Sequence, residues 1–232
     1  MSPRYAIYYA PEVGSPLSKF GWSWLGRHSD TEALTEPARP AALAADRFAE
    51  IIAAPRCYGF HGTLVAPFHL APRRGRDELV VALSQFAASW PRFMAAPLSL
   101  QELRGFLALR PSRPEPQWET LAMACVTSFS GFRAPLTPED LARRMQAPLS
   151  ARQQELLQLW GYPYVAEQFE FHMTLTGRLP DDERRQVFAA LEPLVAPFTR
   201  SPLSVGSLCL FEQAAPDRPF VLSLRFALGE HS

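Results

Sequence analysis

Two of the histidines in this chain stand in matching frames. One lies in YGFHGTLVAPF, beginning at Tyr58, and the other in FEFHMTLTGRL, beginning at Phe169. The chain has five histidines, and such a pair arises by chance in under roughly one sequence in a hundred. Where both segments are strands, side chains two positions apart share a face. His61 then projects with Thr63, and His172 with Thr174, while Phe60, Leu64, Phe171 and Leu175 point into the core.

Two imidazoles and two hydroxyls gathered at one cleft suit phosphodiester chemistry. Breaking a P–O bond needs a base for the attacking oxygen and an acid for the departing one. Imidazoles near pKa 6.5 can hold opposite protonation states at neutral pH. Threonine hydroxyls can donate to the non-bridging oxygens as charge builds. Taken singly, a histidine on a strand is more often packed or solvated than catalytic, and the matched pair is what argues for chemistry. Neither frame has H-x-H or H-E-x-x-H spacing, so no metal site is expected. No cofactor is implied. A module that binds a phosphorylated or nucleotide-like ligand without turnover is the alternative.

Neighbouring residues extend the candidate site. Thr176 and Arg178 continue the face of His172, and the planar guanidinium of Arg178 suits a substrate phosphate, although a solvated strand end reads the same way. Glu170, on that face, either orients the imidazole or is a plain surface carboxylate. Tyr58, Tyr162 and Tyr164 are candidates to line a pocket for a base or sugar, against the alternative of aromatic packing. Arg56 lies within reach of the cleft or of a loop. His28, His69 and His231 lack the frame and are read as non-catalytic.

The elements that must position these residues are short, because 23 prolines punctuate the chain. Strands are expected over residues 4–10, 58–70, 169–179, 203–211 and 219–226, with a hairpin or strand pair over 98–110. Helices are expected over 16–26, 41–54 (closed by Pro55), 76–90, 117–129, 138–145, 151–160 and 181–195. Several strand pairs are adjacent in sequence, which favours an α+β class with antiparallel sheets over a doubly wound parallel one. No low-complexity linker divides the chain, so residues 1–232 are read as one domain.

Composition removes other classes. Lys plus Arg and Asp plus Glu each number 23, so no net charge draws the chain to nucleic acid or membrane. Lys19 is the one lysine, which leaves no residue for a phosphate-loop or Schiff-base lysine elsewhere. Cys57, Cys125 and Cys209 lack C-x-x-C spacing and read as buried thiols. No apolar run approaches the ~18–20 residues of a membrane span, and the N-terminal segment does not read as a signal peptide, so a cytoplasmic setting is expected.

With these residues in view, the chain resembles the two-histidine (2H) phosphoesterase superfamily, in particular the branch encoded in bacterial phosphonate-utilisation operons beside carbon–phosphorus lyase. RYAIYYAP at Arg4, WLGR at Trp24, YGFHGTLVAPF, GFLALRP at Gly105, FRAPLT at Phe132, WGYPYV at Trp160 and FEFHMTLTGRL carry the resemblance over nearly the whole chain. It implies a bilobal fold, with two antiparallel sheets and flanking helices around a central cleft, related by a pseudo-twofold. It further implies His61 and His172 as acid and base, with Thr63 and Thr174 on the phosphate of a small phosphodiester; no obligate protein partner is inferred. Where the branch usually has Ala, Lys and Arg, this chain has Gly62, Val65 and Glu170. Position 65 is expected on the face of His61 and Thr63, so a phosphate-facing cation is missing there.

Overall fold

A computed structural model of the chain describes residues 2–145 and 148–229. Its elements, in order, are β1 (Arg4–Tyr9), α1 (Pro16–Leu25), α2 (Ala45–Tyr58), β2 (Gly62–Phe68), α3 (Arg76–Ser89), β3 (Phe93–Ala95), β4 (Leu98–Leu103), β5 (Phe106–Pro111), α4 (Pro116–Ser128), α5 (Pro138–Arg144), α6 (Ala151–Trp160), β6 (Met173–Thr174), α7 (Asp181–Val195), β7 (Leu203–Val205), β8 (Ser207–Gln213) and β9 (Val221–Ala227). Local signals explain several boundaries. Ser15 accepts from the Ser18 N–H to cap α1, Pro16 occupies its first turn, and Gly26 ends it in a left-handed conformation. Ser150 and Gln153 form a reciprocal capping box on α6. Three acids open α7, where the helix dipole favours negative charge.

The class is α+β, as expected, but the two sheets are very unequal. Seven strands form one sheet in the order β4-β5-β6-β2-β1-β8-β9, and β3 pairs with β7 in a second. Every ladder between named strands is antiparallel. The element order repeats: β1, helices, β2, α3, β3, β4 is followed by β5, helices, β6, α7, β7, β8. Each half lends its last strand to the other, since β4 lies against β5 and β8 against β1. The two histidine motifs therefore meet at the middle of the large sheet, where β2 pairs with β6.

Two expected boundaries differ for physical reasons. Helix α2 does not stop at Pro55 but carries it and runs on to Tyr58. Proline removes one N–H, the donor that would have bonded the Ile51 carbonyl, and that carbonyl accepts instead from Gly177 N–H at 2.7 Å. The long strand expected over 169–179 is laddered only at Met173–Thr174. Leu175 and Thr176 N–H both donate to the Leu107 carbonyl, at 2.9 and 3.3 Å, so the period of two breaks there.

One face of the large sheet packs on the helices through Ile7, Leu64, Leu107, Leu109, Phe171 and Met173, joined by Trp24, Ile51, Leu83, Trp118 and Leu191. The other face carries a small apolar cluster of Tyr8, Ala6, Cys209, Phe211 and Phe220. The candidate site lies beside that cluster.

Candidate active site

The β2–β6 pairing sets the geometry. Gly62 lies opposite Met173 in an antiparallel ladder, so one step each way sets His61 against Thr174 and Thr63 against His172. These four side chains share the face opposite to Met173. The two histidines are then diagonal neighbours, a relation that separates positions by about 7–8 Å. The motif strands lie side by side, and the cleft is above their common face.

Both imidazoles are oriented in the same way. His61 Nδ1 lies 2.9 Å from the Gly59 carbonyl, and His172 Nδ1 lies 2.7 Å from the Glu170 carbonyl. A carbonyl only accepts, so each Nδ1 carries the proton and each Nε2 is the reactive nitrogen. Thr63 Oγ1 is 3.2 Å from His61 Nε2 and donates to it in the neutral ring. Tyr8 stacks on His61 with ring centroids 3.8 Å apart. Gly59 has φ of +78°, which suits glycine and turns its carbonyl toward the ring.

The surroundings disfavour charge on both rings. Burial is the main cause lowering the His61 pKa from 6.5 to about 4, with smaller contributions from His172 and Arg27, while the Gly59 carbonyl opposes them. Burial also lowers the His172 pKa, helped by Arg104 and Arg110 and opposed by the carbonyl and carboxylate of Glu170. The Glu170 carboxylate is the smallest of these contributions, being itself paired with Arg104 and Arg110.

A cleft of about 190 Å³ opens over this face, lined by Thr63, His172, Arg104, Tyr162, Tyr164 and Arg178, among others. Tyr164 and Arg178 thus reach the cleft, and among the described residues Arg178 forms no ion pair. Tyr58 does not line this cleft; it stacks on Phe220, with its ring 6.3 Å from that of His61. Thr176 does not reach the cleft: it is 1 % exposed, and its hydroxyl accepts from Leu107 N–H and donates to the Gly177 carbonyl. Nor does Val65 share the histidine face. A bulge between Thr63 and Val65 shifts the register with β1, so Val65 lies in the core, 2 % exposed. Arg56 turns away to the Leu25 carbonyl. His28 stacks on Trp22, and His69 binds Ser2 and Pro3. His231 lies outside the described residues.

Sequence reasoning missed two arginines and a tyrosine. Glu170 pairs with Arg104 at 2.7 Å and Arg110 at 3.4 Å, and Arg104 covers the Tyr164 ring at 4.6 Å. The β5–β6 register, with Ala108 opposite Thr174, places Arg110 opposite His172. The alternation of Phe106, Ala108 and Arg110 with buried Leu107 and Leu109 was the available signal for Arg110. Arg104 stands at φ +50° in the two-residue turn before Gly105, where an arginine costs roughly 1–2 kcal/mol. Tyr8 shows its side only through pairing with Thr63. Among the described residues, no group of three His, Cys, Asp or Glu side chains is placed to hold a metal, and no helix is long and apolar enough to cross a membrane.

Comparison with known proteins adds relatives. The chain is 37 % identical over 222 residues to a ribose 1,5-bisphosphate phosphokinase, PhnN, of Janthinobacterium sp. (strain Marseille), covering 94 % of this chain and 49 % of that protein. It is 37 % identical over 183 residues to the PhnN of Laribacter hongkongensis (strain HLHK9), covering 77 % and 41 %. The chain thus spans about half or less of the length of these curated relatives. Among solved structures it is similar to E. coli LigT complexed with 3'-AMP, with a TM-score of 0.43 and 16 % identity, covering 99 % of this chain and 100 % of that one. A conserved protein of unknown function from Agrobacterium tumefaciens strain C58 gives a TM-score of 0.43 at 13 % identity, covering 97 % and 86 %. A family model matches residues 63–221, from the first catalytic-type threonine through the second motif and into β9, and on that match the chain belongs to the family described as protein of unknown function DUF1045.

Proposed function

We propose that this protein is a metal-independent phosphodiesterase of the 2H type, acting on a small phosphodiester or cyclic phosphate. The observation that carries the reading is the matched pair of imidazoles, each fixed through Nδ1 to the carbonyl two residues before it, with Nε2 left for chemistry. One Nε2 takes the proton of the attacking water or hydroxyl. The other protonates the departing oxygen, while Thr174, and Thr63 once the substrate draws its hydroxyl away from His61 Nε2, donate to the non-bridging oxygens. Arg178 and Tyr164 contact the substrate beyond the phosphorus. The phosphokinase activity named for the relatives belongs to proteins about twice as long, and with Lys19 in α1 as its one lysine this chain has no G-x-x-x-x-G-K loop. Its own activity is instead a step on a sugar or nucleotide phosphodiester in the same phosphonate-utilisation setting.

The test is turnover of cyclic phosphates and aryl phosphodiesters in the presence of a chelator. His61→Ala and His172→Ala each lower the rate about 10²–10⁴-fold, and Thr63→Val or Thr174→Val cost less. Folded histidine variants with unchanged turnover, or activity abolished by the chelator, refute the mechanism.

A further inference from the structure

The WLGR segment plays no part in the chemistry above, yet its arginine is among the most enclosed side chains of the molecule. Arg27 is 1 % exposed. Its guanidinium donates to five carbonyls: Arg56 at 3.0 Å, Thr31 at 2.8 Å, Phe220 at 3.0 Å, Cys57 at 3.4 Å and His28 at 3.5 Å. A buried cation is usually paired with a carboxylate. Among the described residues none touches Arg27. Asp30 and Cys57 favour its charge electrostatically, and Arg56 opposes it.

Arg56 and Cys57 lie in the last turn of α2, where helical carbonyls run out of i+4 donors, and the Arg56 carbonyl also accepts from the Gly59 N–H at 3.3 Å. Arg27 caps them from just beyond α1, and Arg56 returns the contact by donating to the Leu25 carbonyl of α1 at 2.6 Å. Phe220, also held by Arg27, donates its N–H to the Cys57 carbonyl at 2.8 Å and stacks on Tyr58. The next residue is Gly59, whose carbonyl orients His61. A Cβ on Gly59 would lie 3.2 Å from Arg27 Nη2 and 3.1 Å from Ser29 Oγ, so the Gly59 Cα packs directly against the guanidinium of Arg27.

We propose that Arg27 is a positioning residue: it fixes the Arg56–Gly59 turn that aims His61, and its charge behind that turn adds to the burial that disfavours a proton on this ring, so that His61 is the base and His172 the acid. The inference rests on the two-histidine reading above. The groups that face the His61 ring are His172, Tyr8 and Tyr58, with Arg27 behind the turn. The direction of the electrostatic contribution agrees, since Arg27 lowers the His61 pKa in addition to the larger contribution of burial.

The experiment follows the His61 ring by NMR titration in the full chain, and the pH dependence of kcat/KM, for wild type, Arg27→Lys and Arg27→Met. Arg27→Lys retains the charge but not the fork, so His61 titrates as in wild type while kcat falls at least about tenfold. Arg27→Met loses both, so the His61 midpoint and the acid limb of kcat/KM also move up together. Should Arg27→Met not fold, Arg27→Gln replaces it, and the wild-type titration remains decisive: a His61 midpoint at or above that of His172 overturns the base assignment. A folded Arg27→Lys with wild-type kcat overturns the positioning role. The titrations need no substrate, so absence of phosphodiester turnover would count against the function proposed above without touching the titration result.

Discussion

Lowering the pH from 7 to 4 probes the His61 environment directly. In the unfolded chain this imidazole takes a proton near 6.5, whereas in the folded protein it does so at about 4. Between those values the unfolded state binds more protons, so stability falls as pH falls below 6.5, and the loss is complete below about 4. That separation corresponds to about 3 kcal/mol. His61 is half-buried rather than fully enclosed, which reduces the expected loss to about 2–3 kcal/mol. Urea unfolding of wild type and His61→Gln at matched pH values isolates it, because carboxylates and His172 titrate in both proteins. Wild type should lose about 2–3 kcal/mol more than the variant between pH 7 and 4. Parallel stability curves would refute both the depressed pKa and the burial invoked for it. The same shift sets the acid limb of kcat/KM for the free enzyme near pH 4.

Three further outcomes follow from the packing and charge around the cleft. A Cβ at Gly62 would lie 2.5 Å from the Phe171 ring, which is itself stacked on Trp118 at 3.7 Å, so Gly62→Ala should destabilise by about 1–3 kcal/mol, read by chemical unfolding. Glu170→Gln frees Arg104 and Arg110 from their carboxylate and should tighten inorganic phosphate binding about three- to tenfold, as isothermal titration would measure, the scale of about 1 kcal/mol for partly exposed pairs. Arg178→Ala should raise KM about tenfold with kcat nearly unchanged; a fall in kcat with unchanged KM would remove Arg178 from substrate binding.

Local signals were legible where they depend on nearby residues. Ser15, Pro16 and Gly26 delimit α1, and the acids at 181–183 mark α7. The alternation in each histidine motif placed His61 with Thr63 and His172 with Thr174 and put Phe60, Leu64, Phe171 and Leu175 in the core, where they are buried. What depended on distant partners was not legible. Pro55 remains helical because Gly177 takes the carbonyl it releases, and Thr176 turns inward because Leu107 satisfies its hydroxyl. Val65 changed sides through a bulge defined only by pairing with β1. Arg104 depends on a hairpin turn whose φ values the pattern of apolar residues does not encode.

The repeat of elements across the large sheet has a mechanical side. Its outer ladders are long, with Leu98 to Leu103 matched residue for residue to Pro111 through Phe106, and Arg4 to Tyr8 matched to Gln213 through Cys209. At the join between repeats, the ladder has the single partner pair Gly62 and Met173. The two halves of the sheet therefore share few ladder pairs at this line, and the two histidines flank it, His61 beside β2 and His172 beside β6. A small rotation about that line changes the span between the two Nε2 atoms while leaving the flanking ladders intact. Anything bound above both histidines would thus load the part of the sheet with the fewest ladder pairs.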